Sequence, residues 1–247
     1  SWIRANKDDF KFVKEMGIKE TGILTSVSDY HVFLKLKKDR KTVMNDYLDV
    51  VRTAVENGVR PRCHLEDITR ADFYGFVLPF VNELMNIQQE SGIPVKIRLC
   101  DTMGYGVPFS NSTLPRSVPK MVNVLKNECG VLSSQIEWHG HNDFHKVLVN
   151  GVAAWLHGCS SVNGALLGIG ERTGNPPIEG LIMDYLGIKG HDTSINTRVI
   201  SKIASFMENE MGIAVPDRYP FVGKDFNVTK AGIHADGVLK NEEIYNI

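Results

Sequence analysis

The sequence predicts an α/β fold of the (β/α)-barrel class. Strand-like stretches recur roughly every 25–40 residues with helical stretches between them, which builds parallel βα units. The polar, chemically capable residues fall at strand C-termini: Glu66-Asp67, Asp101-Thr102, His139–His141 and Glu171. That end of a (β/α) barrel carries its active site. A doubly wound sheet also places ligands there, but its dinucleotide-type glycine turn is missing from the first βα unit.

Residues 18–25 read as the first full strand. Val43, Tyr47, Val50, Val51, Ala54 and Val55 make a helical stripe over 42–57, which Gly58 closes. Residues 60–66 are the next strand. Helix 71–90 follows, with Phe73, Phe76, Val77, Phe80, Val81 and Leu84 on one face and a bend expected at Pro79. Strand 95–101 turns at Thr102-Met-Gly-Tyr-Gly into helix 116–128, with Pro115 near its start. Strand 135–141, helix 145–157 ending at Gly158, and a small-residue strand 160–167 follow. Gly168–Asn175 is a loop, and Pro176-Pro177 lead into helix 178–186. The strand rhythm then stops. Residues 1–190 are expected to form the barrel domain, and 191–247 a linker and the start of a C-terminal helical subdomain, with a helix over 197–211 and two short helical pieces after 216.

The composition is that of a globular protein: 247 residues, 43% hydrophobic and 23% charged. A formal charge of −1 gives no general bias toward nucleic acid or an acidic membrane, so an anionic ligand must be held by local groups. Cys63, Cys100, Cys129 and Cys159 have no paired spacing and are read as reduced, cytoplasmic thiols. No apolar run approaches the ~20 residues of a membrane span, and no signal peptide is visible. The opening Ser-Trp-Ile-Arg, without Met, reads as the continuation of an upstream segment.

Ile136-Glu-Trp-His-Gly-His-Asn-Asp143 is the central stretch. Residues two apart on a strand share a face, so Glu137, His139 and His141 form one row. Two imidazoles so placed either converge on one metal ion or serve as hydrogen bonders at a polar strand end. About 30 residues on, Gly168-Ile-Gly-Glu-Arg-Thr-Gly-Asn175 adds three glycines, an ion-pair candidate in Glu171 and Arg172, and Asn175.

This combination resembles the second signature of the acyl-CoA-dependent α-keto acid synthases: 2-isopropylmalate, homocitrate, citramalate and (Re)-citrate synthases. They belong to the metal-dependent TIM-type barrels that include hydroxymethylglutaryl-CoA lyase. Ser28-Asp-Tyr-His31, Arg62-Cys-His-Leu-Glu-Asp67 with Thr69-Arg70, Asp101-Thr-Met-Gly-Tyr105, and Gly232-Ile-His-Ala-Asp-Gly237 with Tyr245 resemble further segments of that family. The family's first signature, a strand rich in Arg and Asp or Glu, is absent. Against the family pattern the chain holds strands four to eight, with Trp2–Arg4 as the end of the third, so a complete barrel is not expected. The absent strand is the one that would supply a metal carboxylate and a catalytic Arg.

The resemblance implies roles residue by residue. His139 and His141 would be metal ligands, with Asn175 a further or supporting one. The set suits Mg²⁺, Mn²⁺ or Zn²⁺, and Fe²⁺ binds similar sets. Arg62 would clamp a substrate carboxylate. Glu66, Thr102 and Glu137 would line the same pocket; alternatively, Glu66 forms a salt bridge with Arg62 or Arg98. His234 would be the base for the acetyl-CoA methyl proton, or its relay, with Tyr245 beside it, both reaching the partner's site in a homodimer. Asp67, His145 and His157 are read as structural. His64 stands where longer-substrate synthases carry a small residue, which points to a short keto dicarboxylate, oxaloacetate, and to (Re)-citrate synthase as the nearest member. The alternatives are a carbon–carbon lyase on the same barrel and an inactive metal-binding barrel fragment. The lyases carry a Gly-Cys-containing loop where this chain has Gly-Glu-Arg-Thr-Gly-Asn.

Overall fold

The computed structural model describes residues 1–190 and 194–245, without the side chains of Glu242 and Tyr245. Among these residues six strands form one parallel sheet in sequence order: β1 (Trp2–Arg4), β2 (Glu20–Ser26), β3 (Arg60–Glu66), β4 (Lys96–Asp101), β5 (Ile136–Gly140) and β6 (Ser161–Asn163). β1 and β6 are its edges, so the barrel is open. The helices between them are α1 (Phe10–Glu15), α2 (Arg40–Glu56), α3 (Leu78–Ser91), α4 (Val118–Glu128) and α5 (Val147–Leu156).

Register divides the sheet into two chemistries. On one face, Ile23, Cys63, Ile97 and Ile136 lie side by side, and the next row is Thr25, Leu65, Leu99, Trp138 and Val162. These rows meet the apolar stripes of the helices in one core. A fully buried large apolar side chain contributes about 1.5–3 kcal/mol, so this face is the main source of stability. Phe80 joins three elements: its ring lies 5.7 Å from Tyr47 of α2 and 6.3 Å from Phe76, and the Tyr47 hydroxyl donates to the Ser26 carbonyl at 3.1 Å.

The opposite face is polar. Its first row pairs Gly22 with Arg62 and Lys96. The second runs Leu24, His64, Arg98, Glu137, Ser161, and the third Ser26, Glu66, Cys100, His139, Asn163. One residue of slip in any strand would send its charged set into the apolar core, so the register is strongly specified.

The helix caps follow local chemistry. Asp39 accepts from the Thr42 amide at the start of α2, and Ser117 from the Lys120 amide at the start of α4. Two expectations are corrected. Helix 71–90 begins with a wide π turn, Phe73–Val77, in front of α3. Pro79 therefore sits in the first α turn, directly after the π turn. Strand 160–167 ends at Asn163: a Cβ at Gly164 would sit 2.7 Å from the Pro176 carbonyl, and Leu167 takes a φ of 53°. A π-helical turn, Tyr30–Lys35, follows β2, a stretch to which the sequence assigned no element. The sequence reading also passed over α1, which buries Phe10 and Val13.

Two compact units are present, Ser1–Leu181 and Ile182–Ile247. α6 (Ile178–Lys189) spans the boundary. The second unit contains α7 (Val199–Asn209), which buries Ala204 and Met207, then α8 (Gly232–Lys240) and a final turn, Glu242–Tyr245. No described helix is long and apolar enough to cross a membrane, and all four cysteines are free and buried.

Phe80→Ala is expected to lower unfolding free energy by about 4 kcal/mol, because it empties the contact joining α2 and α3. Urea denaturation with an unchanged m-value measures it.

Candidate functional site

The site grows from the C-terminal end of the polar face. β5 ends at Gly140, so His139 still stands on the sheet and His141 begins the loop beyond it. The imidazole centres are 5.1 Å apart with planes at 85°. Burial pushes the His139 pKa down to about 4, helped by His141 and Arg98. Burial and Arg172 lower that of His141 as well. Both rings are therefore neutral at pH 7, the form that ligates a metal. With imidazole nitrogens ~2.1 Å from an ion, neighbouring ligand rings have centres on the order of 5 Å apart. His141 Nδ1 is buried and has no hydrogen-bond partner among the described residues. The pair thus fits two positions of a divalent metal site. Among the described residues no group of three His, Cys, Asp or Glu completes one.

A chain of hydrogen bonds runs across the strand ends. The Asp67 amide donates to Thr102 Oγ1 at 2.8 Å, tying β3 to β4. Arg172 donates to the Thr102 carbonyl and, through Nε and Nη2, to both Asp143 carboxylate oxygens at 2.9 and 3.1 Å. The Asn142 amide donates to the Gly174 carbonyl at 2.9 Å, and Asn175 Nδ2 to the Gly140 carbonyl at 2.8 Å. Gly104 lets the β4 loop close on this assembly: it has a φ of 67°, and a Cβ there would lie 2.8 Å from the His141 carbonyl. Arg172 thus pairs with Asp143, not with Glu171 as its neighbour in sequence suggested. A bidentate carboxylate outbids an adjacent residue that cannot face it.

Beneath the histidines lies an ion cluster. Glu137 accepts from Arg98 at 2.9 and 2.7 Å and lies 3.7 Å from both Arg62 and Lys96. Glu20 receives Arg62 at 3.0 Å and Lys96 at 3.2 Å, with Arg60 at 3.8 Å. Four cations on two carboxylates leave two positive charges, a floor suited to an anion. Arg62 has one arm committed to Glu20, while its Nε is a buried donor without a partner among the described residues.

Glu66 forms neither expected ion pair. It accepts from Ser26 Oγ at 2.8 Å, with Lys35 at 3.9 Å, because Arg62 and Arg98 sit in the rows below. Asp67 is wholly buried and accepts from Arg70 Nε and Nη2 and from Ser28 Oγ. His64 is buried one row below Glu66. Burial, with Arg98 and Arg62 beside it, pushes its pKa down to about 3.

Arg62, His64, Glu66, Glu137 and His139 therefore share the polar face of one sheet, Arg62 and Glu137 in its lower rows, while Thr102, His141 and Asn175 lie on the loops at its C-terminal end, all in one unit. His234 lies in the second unit, exposed on α8, with Nδ1 3.4 Å from Thr229 Oγ1. The side chain of Tyr245 lies outside the described residues. Asn163 went unnoticed in the sequence, yet it is in register beside His139 and its Oδ1 is buried without a partner among the described residues. The signal was period 2 counted from Ser161, obscured by reading the strand too long.

The HMGL-like family pattern matches residues 1–207. The chain belongs to the HMGL-like family. It is 61% identical over 247 residues to Citrate (Re)-synthase of Clostridium kluyveri, covering all of this chain and 54% of that protein. It is 40% identical to 2-phosphinomethylmalate synthase of Streptomyces hygroscopicus, over 97% of this chain and 55% of the relative. The chain thus spans about half the length of these curated relatives. Among solved structures it is similar to hydroxymethylglutaryl-CoA lyase from Pseudomonas aeruginosa, with a TM-score of 0.65 and 18% identity over 91% of this chain and 73% of that one. This likeness carries the fold: an HMGL-like TIM-type barrel, present here as an open arc of six strands.

His64 gives a pH prediction. Its folded pKa lies below the ordinary value of about 6.5, so only the unfolded chain takes up a proton as pH falls from 6.5 toward 3. Metal-free protein should lose stability over that window, and His64→Gln should flatten the loss. Urea midpoints at pH 7, 5.5 and 4.5 measure the slope.

Proposed function

We propose that the protein to which this chain belongs condenses acetyl-CoA with an α-keto acid, best oxaloacetate to give citrate, with a divalent metal at His139 and His141. The observation carrying this reading is the neutral imidazole pair at the end of β5, above a floor with excess positive charge. The metal, when bound, polarises the keto carbonyl as a Lewis acid. Two synthases among the relatives, at 61% and 40% identity, support the reaction class.

The chain's own residues have separable tasks in this reading. Arg62 and Arg98 supply positive charge beneath the keto acid, with Glu137 and Glu20 fixing their positions. Glu66 and Thr102 line the mouth, and Asn175 holds the Gly-Glu-Arg loop over His141. His234, with Tyr245, takes the methyl proton of acetyl-CoA across a homodimer. The resulting enolate carbon attacks the keto carbon, and hydrolysis of the thioester then releases CoA. His64 fills the space a longer side chain of the keto acid would need. The reading also places the protein in the cytoplasm.

The test is release of free CoA by the full-length enzyme with Mn²⁺, acetyl-CoA and a keto acid. Keto-acid-dependent release, fastest with oxaloacetate and reduced at least ~100-fold in His139→Ala or His141→Ala, is expected. Faster turnover with 2-oxoglutarate or 2-oxoisovalerate rules out oxaloacetate. Production of acetyl-CoA from a hydroxyacyl-CoA, without synthesis, identifies a lyase. Metal binding without either activity identifies a non-catalytic barrel.

A further inference from the structure

Gly22 occupies the middle of β2, a strand position where any residue fits the backbone and glycine costs stability. A methyl group there would lie 2.6 Å from His64 Nε2, 2.9 Å from His64 Cε1 and 3.0 Å from Trp2 Cβ. Register explains the approach. Gly22 faces Arg62, and His64 stands one rung nearer the mouth beside Leu24 and Arg98. The imidazole leans back down the sheet and rests in the space that the missing side chain leaves. Its Nε2 is buried there without a partner among the described residues, so no hydrogen bond at that nitrogen holds the ring in this pose. What holds it is shape.

We propose that Gly22 is a specificity-determining position that acts through His64: its missing side chain lets the imidazole recline and sets the depth of the keto acid pocket. The proposal rests on the synthase reading above and deepens it. An alanine at 22 forces the ring out by roughly 1 Å to regain ordinary contact. Arg62 lies below the ring and Arg98 beside it, so the displacement is toward the row of Glu66 and His139, where the substrate sits. Gly22 thus positions His64 and touches no reacting atom itself. The same logic explains why a histidine stands at 64 without blocking the site: the clearance is provided by the neighbouring strand.

A double-mutant cycle in the full-length enzyme tests this, read as CoA release with oxaloacetate. Gly22→Ala should lower kcat/KM by up to ~10²-fold. The loss should fall on the KM for oxaloacetate and spare that for acetyl-CoA. In a His64→Ala background the same Gly22→Ala change should have little further effect, because the imidazole it displaces is gone and only the looser contact with Trp2 Cβ on the edge strand remains. An equal loss in that background, or an unchanged KM in Gly22→Ala alone, overturns the proposal. If Gly22→Ala does not fold, recovery of a folded Gly22→Ala/His64→Ala protein supports the clash, and failure to recover overturns it. A wild-type enzyme that releases no CoA with oxaloacetate overturns the oxaloacetate reading and this proposal with it, a result distinct from an additive cycle.

Discussion

Parallel strands in strict register place every second side chain on one face, and this constraint organises the molecule. From β2 to β5 one set of alternate residues is largely apolar and packs on the helices. The other set holds Arg62, His64, Arg98, Glu137, Glu66 and His139. The two sets cannot be mixed without burying charge in the core. Stability and chemistry therefore share the same strands while using opposite faces.

A second constraint acts where the strands end. The backbone groups beyond the last ladder bonds need partners, and loop side chains supply them. Thr102 takes the Asp67 amide, Arg172 takes the Thr102 carbonyl, and Asn175 takes the Gly140 carbonyl. These bonds satisfy the backbone and fix the loop that crosses His141. The ion cluster beneath has a different task. Glu137 and Glu20 hold four cations in place, and the surplus charge is available to an anion above.

Much of this was legible in the sequence. Period-2 spacing put Glu137, His139 and His141 on one face, and strand 60–66 was read to the residue. The stripes of α2 and α4 were clear because apolar residues recur at helical spacing over three or more turns. The rest was not legible for physical reasons. The partner of Arg172 is 29 residues away in sequence and becomes a neighbour only when β5 and β6 pair. The wide turn before α3 depends on i+5 bonding that no composition signals. α1 is too short to show a period, and β1, though read at Trp2–Arg4, came from the family pattern and not from periodicity. The contact between Gly22 and His64 joins adjacent strands, so neither residue alone announces it. The place of His234 in a site formed by two subunits follows from family resemblance and is a proposal, because α8 belongs to a different compact unit.

Two neutral imidazoles, His139 on β5 and His141 on the loop just beyond it, are proposed to grip one divalent ion. Pulsed EPR of the Mn²⁺-loaded full-length enzyme tests it most directly. The account predicts nitrogen couplings from two imidazoles, one lost in His139→Ala and the other in His141→Ala. Couplings unchanged in both variants, or bound Mn²⁺ with no nitrogen coupling in the wild type, would contradict it.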